Sequence, residues 1–566
     1  MNIYKLHSVQ QLSIVYSEIK GLLMGVITII VIGFVICAPV VHSHSLPRSK
    51  ITTEDRQSSL KNVLFIAIDD LRTELGTYGH KIVKSPNIDA LAARSIVFER
   101  AYCQVAVCSP SRASLLTGRR PDTNHVWRIA NDEYWRNYTN ATSIPQYFKE
   151  NGYVSIGMGK IFHPGAPSGN DDIAYSWSLP YFHSPIPVDR NGKSWTSFEG
   201  YKDDQLPDGQ IANHAVDMLQ EIKKNRTNLG DNLPFFLAVG FHKPHLPFHA
   251  PSKYYDMYPP AEQIDPPKNP DVPTDFPPVA RGLGELSHYN DMKPFFPNMT
   301  ACQTDVQASL YGKGCRVSEE YSRILRRAYY ACISYTDAQV GRIISEMEAL
   351  GFADETVIVL WADHGWQLGE HNHWTKHTNF EDATHVPFMI RVPGVTDKGI
   401  RTSALVELID IFPSITELAG LQVPPMCPEG ENKLLACVEG TSVTPLLKNP
   451  DLPWKKAAFS QYSRPSAGMT VIPNEPPYSK SEHGEDVMGY SLRVDQYHFI
   501  EWYRFNRTTA TPNWSEIWGT ELYNHTEPVL FFNDENVNLA KQPEMQNMVK
   551  ELRKMIQDGW RAALPP

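Results

Sequence analysis

The sequence predicts an α/β fold in which helices flank a large, mixed but mostly parallel sheet, followed by a smaller C-terminal α+β domain with an antiparallel sheet. Short, continuous apolar runs alternate with helical stretches over residues 62–448, which is the pattern of parallel strands and crossover helices. Over residues 454–566, short aromatic strands alternate with turns instead. Two domains are also expected because a chain of 566 residues exceeds what one hydrophobic core usually serves.

The first predicted strand covers residues 62–68 and ends in two carboxylates, Asp69 and Asp70. Its branched, wholly apolar character is typical of a buried strand in a parallel sheet. Adjacent carboxylates repel one another unless a cation lies between them, and parallel sheets bind ligands at the carboxyl ends of their strands. These residues alone leave two interpretations open: a metal site, or a solvated turn in which Asp70 caps the next element.

Three further apolar runs also end in polar or ionisable residues. Residues 153–157 lead to Lys160 and His163, residues 234–241 lead to His242 and His245, and residues 356–362 lead to Asp363 and His364. Four strands that deliver such residues at the same end predict one convergent site more strongly than four unrelated turns.

The segments between these strands are predicted to be helices and one long loop. Helical stretches cover residues 144–151, 210–224 and 317–350. Residues 258–279 contain too many prolines for a helix or a central strand, so we expect a surface loop that either walls the site or only connects elements.

The C-terminal domain is expected to begin after a proline-containing linker, residues 449–453. Its strands include residues 490–494 and 497–503, and an amphipathic helix over residues 543–564 closes the chain.

The N-terminal region predicts entry into the secretory pathway. Residues 22–38 form one apolar run preceded by Lys20, which is typical of a signal peptide or an uncleaved signal anchor within residues 1–43; a polar linker, 44–61, follows. Seven N-x-S/T sequons support the same compartment. The predicted glycosylation sites are Asn137, Asn140, Asn225, Asn298, Asn506, Asn513 and Asn524. A formal net charge of −10 argues against a nucleic-acid partner, although a local basic pocket could still bind an anionic substrate.

The cysteines divide into loop pairs and isolated thiols. Cys302 with Cys315, and Cys427 with Cys437, lie close together in loop-like sequence and are predicted disulfides. Cys37 falls in the apolar run, which leaves Cys103, Cys108 and Cys332. A bridge between Cys108 and Cys103 is one interpretation that spacing allows.

Residues 108–119, Cys-Ser-Pro-Ser-Arg-Ala-Ser-Leu-Leu-Thr-Gly-Arg, offer another interpretation of Cys108. They resemble the signature of the type I sulfatases, a family of the alkaline phosphatase-like superfamily. The resemblance implies that a formylglycine-generating enzyme oxidises Cys108 to an aldehyde whose hydrate attacks the sulfur of a sulfate ester. Residues 119–123 and 134–136 narrow the resemblance to members that act on iduronate 2-sulfate.

The resemblance also implies roles for matching positions. Arg112 would contact the aldehyde hydrate, His163 would act as the base and His242 as the acid, and Lys160 and Lys376 would bind the sulfate. Trp366 and His245 are expected to line the sugar pocket, with a buried core position as the alternative for Trp366. The implied ligands of a divalent cation, expected to be calcium because most donors are oxygen, are Asp69, Asp70, Cys108, Asp363 and His364.

These residues together predict hydrolysis of the 2-O-sulfate of non-reducing terminal iduronate in dermatan and heparan sulfate. By resemblance we expect delivery to the lysosome, with a mannose-phosphate sorting receptor as a partner, or secretion. Three alternatives stay open: a sulfatase for another sugar sulfate, a phosphate or phosphonate ester hydrolase of the same fold, and a catalytically silent secreted glycan-binding protein.

Overall fold

The structure is a computed structural model that describes residues 60–229, 232–281, 286, 289–295, 316–430, 434–465, 485–526 and 535–566. The chain divides into two units, Met1–Asp55 and Arg56–Pro566, and every element below belongs to the second unit. The predicted signal segment, Asn298, Cys302 and Cys315 lie outside the described residues. Within the described ranges, none of the helices is both long enough and apolar enough to cross a membrane.

A seven-stranded sheet forms the centre of this unit and confirms the mixed, mostly parallel prediction. The strands of the N-terminal and central regions are β1 (Asn62–Ile68), β2 (Ile96–Tyr102), β3 (Val154–Gly159), β4 (Trp195–Phe198), β5 (Phe235–Phe241), β6 (Phe248–Pro251), β7 (Thr356–Ala362), β8 (Gln367–Leu368), β9 (Trp374–Thr375), β10 (His385–Arg391) and β11 (Ile400–Glu407). The large sheet has the order β11-β2-β10-β7-β1-β5-β3. Six of its strands run parallel, and β10 is antiparallel to both of its neighbours, β2 and β7.

A helix lies at each predicted helical stretch, and the last of them packs on the C-terminal sheet and not on this one. The helices are α1 (Pro86–Ala92), α2 (Cys108–Thr117), α3 (Pro121–Asn124), α4 (Ile144–Glu150), α5 (Pro207–Leu229), α6 (Ser252–Tyr255), α7 (Glu319–Ala349), α8 (Glu381–Thr384), α9 (Ile411–Leu418), α10 (Thr444–Lys448) and α11 (Gln546–Asp558). Helix α5 begins three residues before its predicted start, at Pro207, a residue that suits the first helical turn. The final helix, α11, is shorter than predicted because Gly559, at φ 77°, ends it.

The register of the central strands brings their carboxyl ends to one edge. Ile68 pairs with Phe241 of β5 and with Ala362 of β7, so the residues that follow these strands emerge side by side. Strands β3 and β5 approach unusually closely at the same edge. A Cβ atom on Gly240 would lie 2.2 Å from the carbonyl carbon of Lys160, so only glycine at position 240 lets the Lys160 backbone come this near.

The C-terminal sheet is antiparallel, as predicted. It consists of β12 (Ala458–Pro465), β13 (Glu485–Arg493), β14 (Tyr497–Asn506) and β15 (Thr511–Asn524), in that order. Its Tyr462 and Trp502 share a hydrophobic cluster with Val105 and Val107, the residues that lead into α2. The boundaries of separate domains at 62–448 and 454–566 stay a prediction.

The proline-rich segment 258–279 is a loop, and it packs beside the segment that carries Lys376. It holds no strand or helix longer than a 3-10 turn. The backbone carbonyl of Asn269 accepts a hydrogen bond from His371 N at 2.7 Å, and the ring of Phe276 stacks on Phe380 at 5.6 Å. The loop therefore does more than connect elements, because it supports one side of the site described below.

The cysteine and sequon predictions are tested in part. Cys427 and Cys437 form the predicted disulfide, with their Cα atoms 4.8 Å apart. Cys103, Cys108 and Cys332 are buried free thiols, so Cys108 is not bridged to Cys103. Among the predicted glycosylation sites, the exposed ones are Asn137, Asn140, Asn506, Asn513 and Asn524, whereas Asn225 is half-buried.

Candidate active site

The carboxyl edge of the large sheet holds a compact group of buried side chains, which we call the floor: Asp69, Asp70, Cys108, Arg112, Asp363 and His364. Asp69 and Asp70 follow β1, and Asp363 and His364 follow β7. The donor atoms of Asp69, Cys108, Asp363 and His364 all lie within 4.8 Å of one another. The strand ends that the sequence predicted to converge therefore do so.

Cys108 lies at the first position of α2, with its sulfur close to three charged or polar side chains. The Sγ atom is 3.5 Å from Asp69 Oδ1, 3.3 Å from His364 Nε2 and 3.5 Å from Lys160 Nζ. A helix N-terminus favours negative charge, so α2 directs a favourable field at the position where an anionic substrate would meet residue 108. Gly118 ends the helix at φ 65°, where a Cβ atom would lie 2.9 Å from Val438.

Arg112, one turn further along α2, joins the two strand ends. Its Nε donates to Asp363 Oδ2 at 2.9 Å and its Nη2 donates to Asp69 Oδ1 at 3.1 Å. Nη1 donates to the backbone carbonyls of Lys160 and Ile161. Arg112 thereby fixes the positions of two carboxylates that would otherwise repel one another.

Two lysines contact the floor, each at a different carboxylate. Lys160 Nζ lies 2.5 Å from Asp69 Oδ2, and Lys376 Nζ lies 3.0 Å and 3.1 Å from the two carboxylate oxygens of Asp70. Thr375 and His377, on either side of Lys376, have φ values of 73° and 75°, which non-glycine residues seldom adopt. Such backbone strain persists only where the surrounding structure enforces it, and here it places the Lys376 ammonium.

His364 presents a bare ring nitrogen to the carboxylates. Its Nδ1 lies 2.9 Å from the Gly365 carbonyl, which can only accept a hydrogen bond, so Nδ1 carries the proton. Burial lowers the pKa of His364 to about 4, so the ring is neutral and Nε2 has only a lone pair. That lone pair lies 3.4 Å from Asp70 Oδ1 and 3.6 Å from Asp363 Oδ2. This arrangement of lone pairs fits a cation held between them.

The floor carboxylates have opposite protonation preferences. Burial alone would raise the pKa of Asp69, but Lys160, His245 and Arg112 outweigh it and hold that pKa well below its usual range. Burial, reinforced by Asp69 and Asp363, raises the pKa of Asp70 well above its usual range although Lys376 opposes the shift. Asp70 is thus the carboxylate that gains most from an additional positive charge.

The thiol of Cys108 is a poor nucleophile in this environment. Burial, with the negative charge of Asp69, raises its pKa well above the ordinary value. Because the thiolate and not the thiol attacks electrophiles, the unmodified side chain is unreactive here.

His242 directly follows β5 at the same edge of the sheet and is held by Asp208 at the start of α5. Asp208 Oδ1 accepts a hydrogen bond from His242 N at 2.8 Å and lies 3.2 Å from His242 Nδ1. Asp208 Oδ2 accepts from Lys243 N at 2.8 Å. Since the carboxylate takes the Nδ1 side of the ring, Nε2 is the nitrogen left to face a substrate. Sequence reasoning missed Asp208, which lies 34 residues before His242 with no strand end or motif to indicate it.

His163 and His245 complete the partly exposed rim, and we call His163, His242 and His245 the mouth. His245 Nε2 is 3.8 Å from Asp70 Oδ2, and its side chain is 23% exposed. His163 is half-buried, and its Nδ1 lies 3.1 Å from the Pro164 carbonyl. Burial, aided by Lys160, lowers the pKa of His163 to about 3, so this imidazole is neutral and able to accept a proton.

Trp366 does not line a surface that a sugar could reach. Its side chain is 0% exposed, and its ring lies under Lys376, with Nζ 5.1 Å from the ring centroid. The prediction of a pocket-lining Trp366 is corrected to the core alternative, because the loop after β7 turns the indole inward. There it supports the ammonium by a cation–π contact.

Comparison with known proteins agrees with this geometry. The family model described as "Sulfatase" matches residues 61–421, which include every residue of the floor and the mouth. The chain belongs to the sulfatase family. A second family model, described as "N-sulphoglucosamine sulphohydrolase, C-terminal", matches residues 369–475 of this sulfatase.

Curated relatives and solved structures extend the match. Human "Iduronate 2-sulfatase" is 39% identical over 516 residues, covering 82% of this chain and 88% of the human protein. The mouse protein of the same name is 38% identical over 82% of this chain and 88% of its own. The solved structure of a phosphonate monoester hydrolase from Silicibacter pomeroyi has a TM-score of 0.62 at 20% identity, covers 89% of this chain and 96% of its own, and shows the shared fold alone. The sulfatase described here is a sulfuric ester hydrolase.

Proposed function

We propose that this sulfatase removes the 2-O-sulfate of non-reducing terminal iduronate in dermatan and heparan sulfate, using a formylglycine made from Cys108 and a bound divalent cation. One observation carries the chemistry: Cys108 lies within 4 Å of two carboxylates, a neutral imidazole and an ammonium at the edge of the sheet. The sugar is supported by the relatives that bear the name iduronate 2-sulfatase.

The floor residues fit a divalent cation, and Asp69, Asp70, Asp363 and His364 would hold it together with residue 108. Three carboxylates converge, and the bare His364 Nε2 faces two of them at 3.4 Å and 3.6 Å. Mostly hard oxygen donors favour calcium over softer metals. When bound, the cation polarises a sulfate oxygen and lowers the pKa of the nucleophile.

Formylglycine at position 108 would replace a buried thiol that is a weak nucleophile. A cysteine with a raised pKa attacks poorly, and a sulfated serine or cysteine would be slow to release its sulfate. The hydrate of an aldehyde supplies one hydroxyl to attack sulfur and a second whose deprotonation expels the sulfate. Maturation then requires a formylglycine-generating enzyme as a partner.

The residues of this chain orient the substrate around that nucleophile. Lys160 and Lys376 now pair with Asp69 and Asp70, and their ammonium groups can also contact sulfate oxygens at the same edge. Arg112 keeps Asp69 and Asp363 in place throughout, because its guanidinium donates to both carboxylates and also to the backbone carbonyls of Lys160 and Ile161.

Proton transfer falls to the mouth. His242, with Asp208 on its Nδ1 side, would protonate the departing sugar oxygen from Nε2. His163, neutral because its pKa is lowered to about 3, would accept the proton whose loss releases the sulfate. Acid and base are therefore different imidazoles in this proposal.

A panel of defined oligosaccharides tests the sugar assignment. We expect desulfation of a disaccharide with terminal iduronate 2-sulfate to exceed that of glucuronate 2-sulfate, glucosamine 6-sulfate and galactosamine 4-sulfate isomers by at least about 100-fold in kcat/KM. If another of these sulfated sugars is turned over faster, that sugar and not iduronate is the substrate. A higher rate on aryl phosphonate or aryl phosphate than on aryl sulfate would favour the alternative of a phosphate or phosphonate ester hydrolase.

Mass spectrometry of the Cys108 peptide tests the modification. The peptide from an active preparation should have lost mass relative to the thiol, as an aldehyde requires. An unmodified thiol in a fully active preparation would exclude the mechanism, and an unmodified thiol in an inactive one would support the glycan-binding alternative.

The last part of the proposal concerns the location of the protein in the cell. We propose entry into the secretory pathway and delivery to the lysosome through a mannose-phosphate sorting receptor, with secretion as the other outcome. The five exposed sequons are available to carry the glycan that such a receptor reads.

A further inference from the structure

A second group of buried side chains, of types that can bind metals, shares no residue with the floor or the mouth. It consists of Glu381 at the start of α8, His498 on β14, His525 directly after β15, and Glu535. One donor atom from each of the four residues lies within 4.8 Å of the others. Each donor comes from a different segment, so only the tertiary fold brings them together.

The donors are already close to the separations that a bound ion imposes. His498 Nδ1 is 2.5 Å and His525 Nε2 is 3.0 Å from the same oxygen of Glu535, Oε1. Four ligands placed roughly 2.0–2.2 Å from a tetrahedral zinc ion lie about 3.5 Å apart, so small adjustments suffice. The four side chains are at most 4% exposed, which matches the buried, closed character of structural zinc sites.

The surroundings hold these donors in place. The Ser491 hydroxyl lies 2.7 Å from His498 Nε2, the ring nitrogen opposite the one that faces Glu535. Glu381 accepts hydrogen bonds from the Tyr102 hydroxyl at 2.6 Å and from Arg493 Nε at 3.2 Å. Imidazole ligands of metals typically have such a partner on their second nitrogen, which fixes the ring orientation.

The charge balance calls for a further positive charge. Two buried carboxylates, Glu381 and Glu535, face one permanent cation, Arg493, among the contacts described for them. A buried carboxylate needs a counter-charge. Either a metal ion supplies the charge or imidazoles are protonated: those of His498 and His525, or that of His385, whose Nδ1 lies 4.0 Å from Glu381 Oε1.

We propose that Glu381, His498, His525 and Glu535 form a zinc site that joins the C-terminal sheet to the segment following Lys376. Two imidazoles and two carboxylates suit zinc, whereas calcium prefers oxygen donors alone. Binding through His498 Nδ1 moves the ring proton to Nε2, where the Ser491 oxygen accepts it. The site is independent of the proposed substrate, and it differs in donor type from the oxygen-rich floor.

Elemental analysis of the purified full-length protein tests this site without any activity assay. After dialysis against zinc and then against a metal-free buffer, the wild-type protein should retain one zinc per chain. The variants His525→Gln and Glu381→Gln should each lose most of it. Asp70→Asn, which alters the floor, and His183→Gln, which alters the pair of an exposed histidine with the buried Asp171, should both keep the full amount.

Cobalt substitution tests the site in the wild-type protein, so the result does not depend on whether a variant folds. The wild-type protein loaded with Co²⁺ should show the intense visible bands of tetrahedral coordination, and zinc should displace them. Wild-type protein that retains no zinc and gives no such bands would overturn the proposal and assign the charge to protonated imidazoles. Zinc that disappears with Asp70→Asn and not with His525→Gln would overturn it equally.

Discussion

The floor and the mouth of the active site differ in burial and in how the chain builds them. Floor residues such as Asp69, Asp70 and Asp363 are 0% exposed and follow directly from buried strands. Mouth residues such as His242 and His245 retain 15% and 23% of their side-chain exposure and lie in loops. The floor therefore holds charge at fixed positions, while the mouth is where solvent, sugar and protons can enter.

This difference predicts which substitutions abolish the reaction and which only tune it. A floor side chain touches several charged partners in a medium where electrostatic interactions are strong, so its loss leaves other charges unpaired. A mouth side chain acts on one proton, and water can replace part of its contribution.

The largest expected effect follows from Cys108→Ala, which removes the precursor of the nucleophile. We expect kcat to fall on the order of 10⁵-fold, as removal of a nucleophile does in other covalent hydrolases. The matched control is Cys103→Ala, a buried free thiol five residues upstream, which should keep both activity and the aldehyde. Loss of the aldehyde in the Cys103 variant would show that the two cysteines are linked during maturation.

Asp70→Asn should have the next largest effect on kcat, because it weakens the proposed cation site and removes the carboxylate that pairs with Lys376. We expect about a 10³-fold loss of kcat together with loss of bound calcium, measured by elemental analysis. Calcium removal from the wild type by a chelator should reproduce the loss and calcium addition should restore it. Asp337→Asn is the control, because this buried carboxylate on α7 hydrogen-bonds to Asn87 and Ile88 and to no floor residue among its described contacts. Full activity without calcium would contradict the assignment.

His242→Gln tests the mouth, because an acid matters most when the leaving group is poor. We expect a loss of about 10² to 10³-fold on a sugar sulfate and a much smaller loss on an activated aryl sulfate, whose phenolate departs unaided. The measurement is kcat for both substrates in the same preparation. Equal losses on the two would mean that His242 has a role other than protonating the leaving oxygen.

Asp208→Asn should act through His242 and have a smaller effect, about 10-fold on the sugar sulfate, because it loosens the ring without removing it. The change should be confined to kcat and should vanish in a His242→Gln background, as a double-mutant cycle would show. An unchanged loss in that background would assign Asp208 to folding, through Lys243, instead.

The smallest effect concerns pH. His163 has its pKa lowered to about 3, and a lowered histidine pKa means that the neutral, proton-accepting form persists as the pH falls until that value is approached. We therefore expect no loss of kcat from His163 protonation between neutral pH and about pH 4. A fall in kcat with a midpoint near pH 6 in the wild type, absent from a His163→Gln variant, would contradict this expectation.

Much of the floor could be predicted because its signals are local. Asp69 and Asp363 follow apolar runs whose strand bounds, 62–68 and 356–362, the structure reproduces. The residues 108–119 indicate a modification site by their own pattern. The mouth was predicted less completely, because the Asp208–His242 pair joins a helix start to a strand end with no periodicity between them.

Two features depended on the tertiary structure for a physical reason. Whether Trp366 lies under Lys376 or beside a sugar depends on the direction in which one loop turns, and apolar composition suits both. The proposed zinc site of Glu381, His498, His525 and Glu535 depends on the start of α8, the C-terminal sheet and the segment of Glu535 meeting, which no spacing along the chain encodes.

By itself, then, the sequence determined the strands, the residues at their carboxyl ends and the motif at Cys108, because hydrophobic periodicity and short motifs are properties of neighbouring residues. Only the tertiary structure decided which charged groups pair, which ring nitrogen stays bare and which aromatic is buried. Those outcomes depend on distances between segments far apart in the chain, where burial strengthens every electrostatic contact.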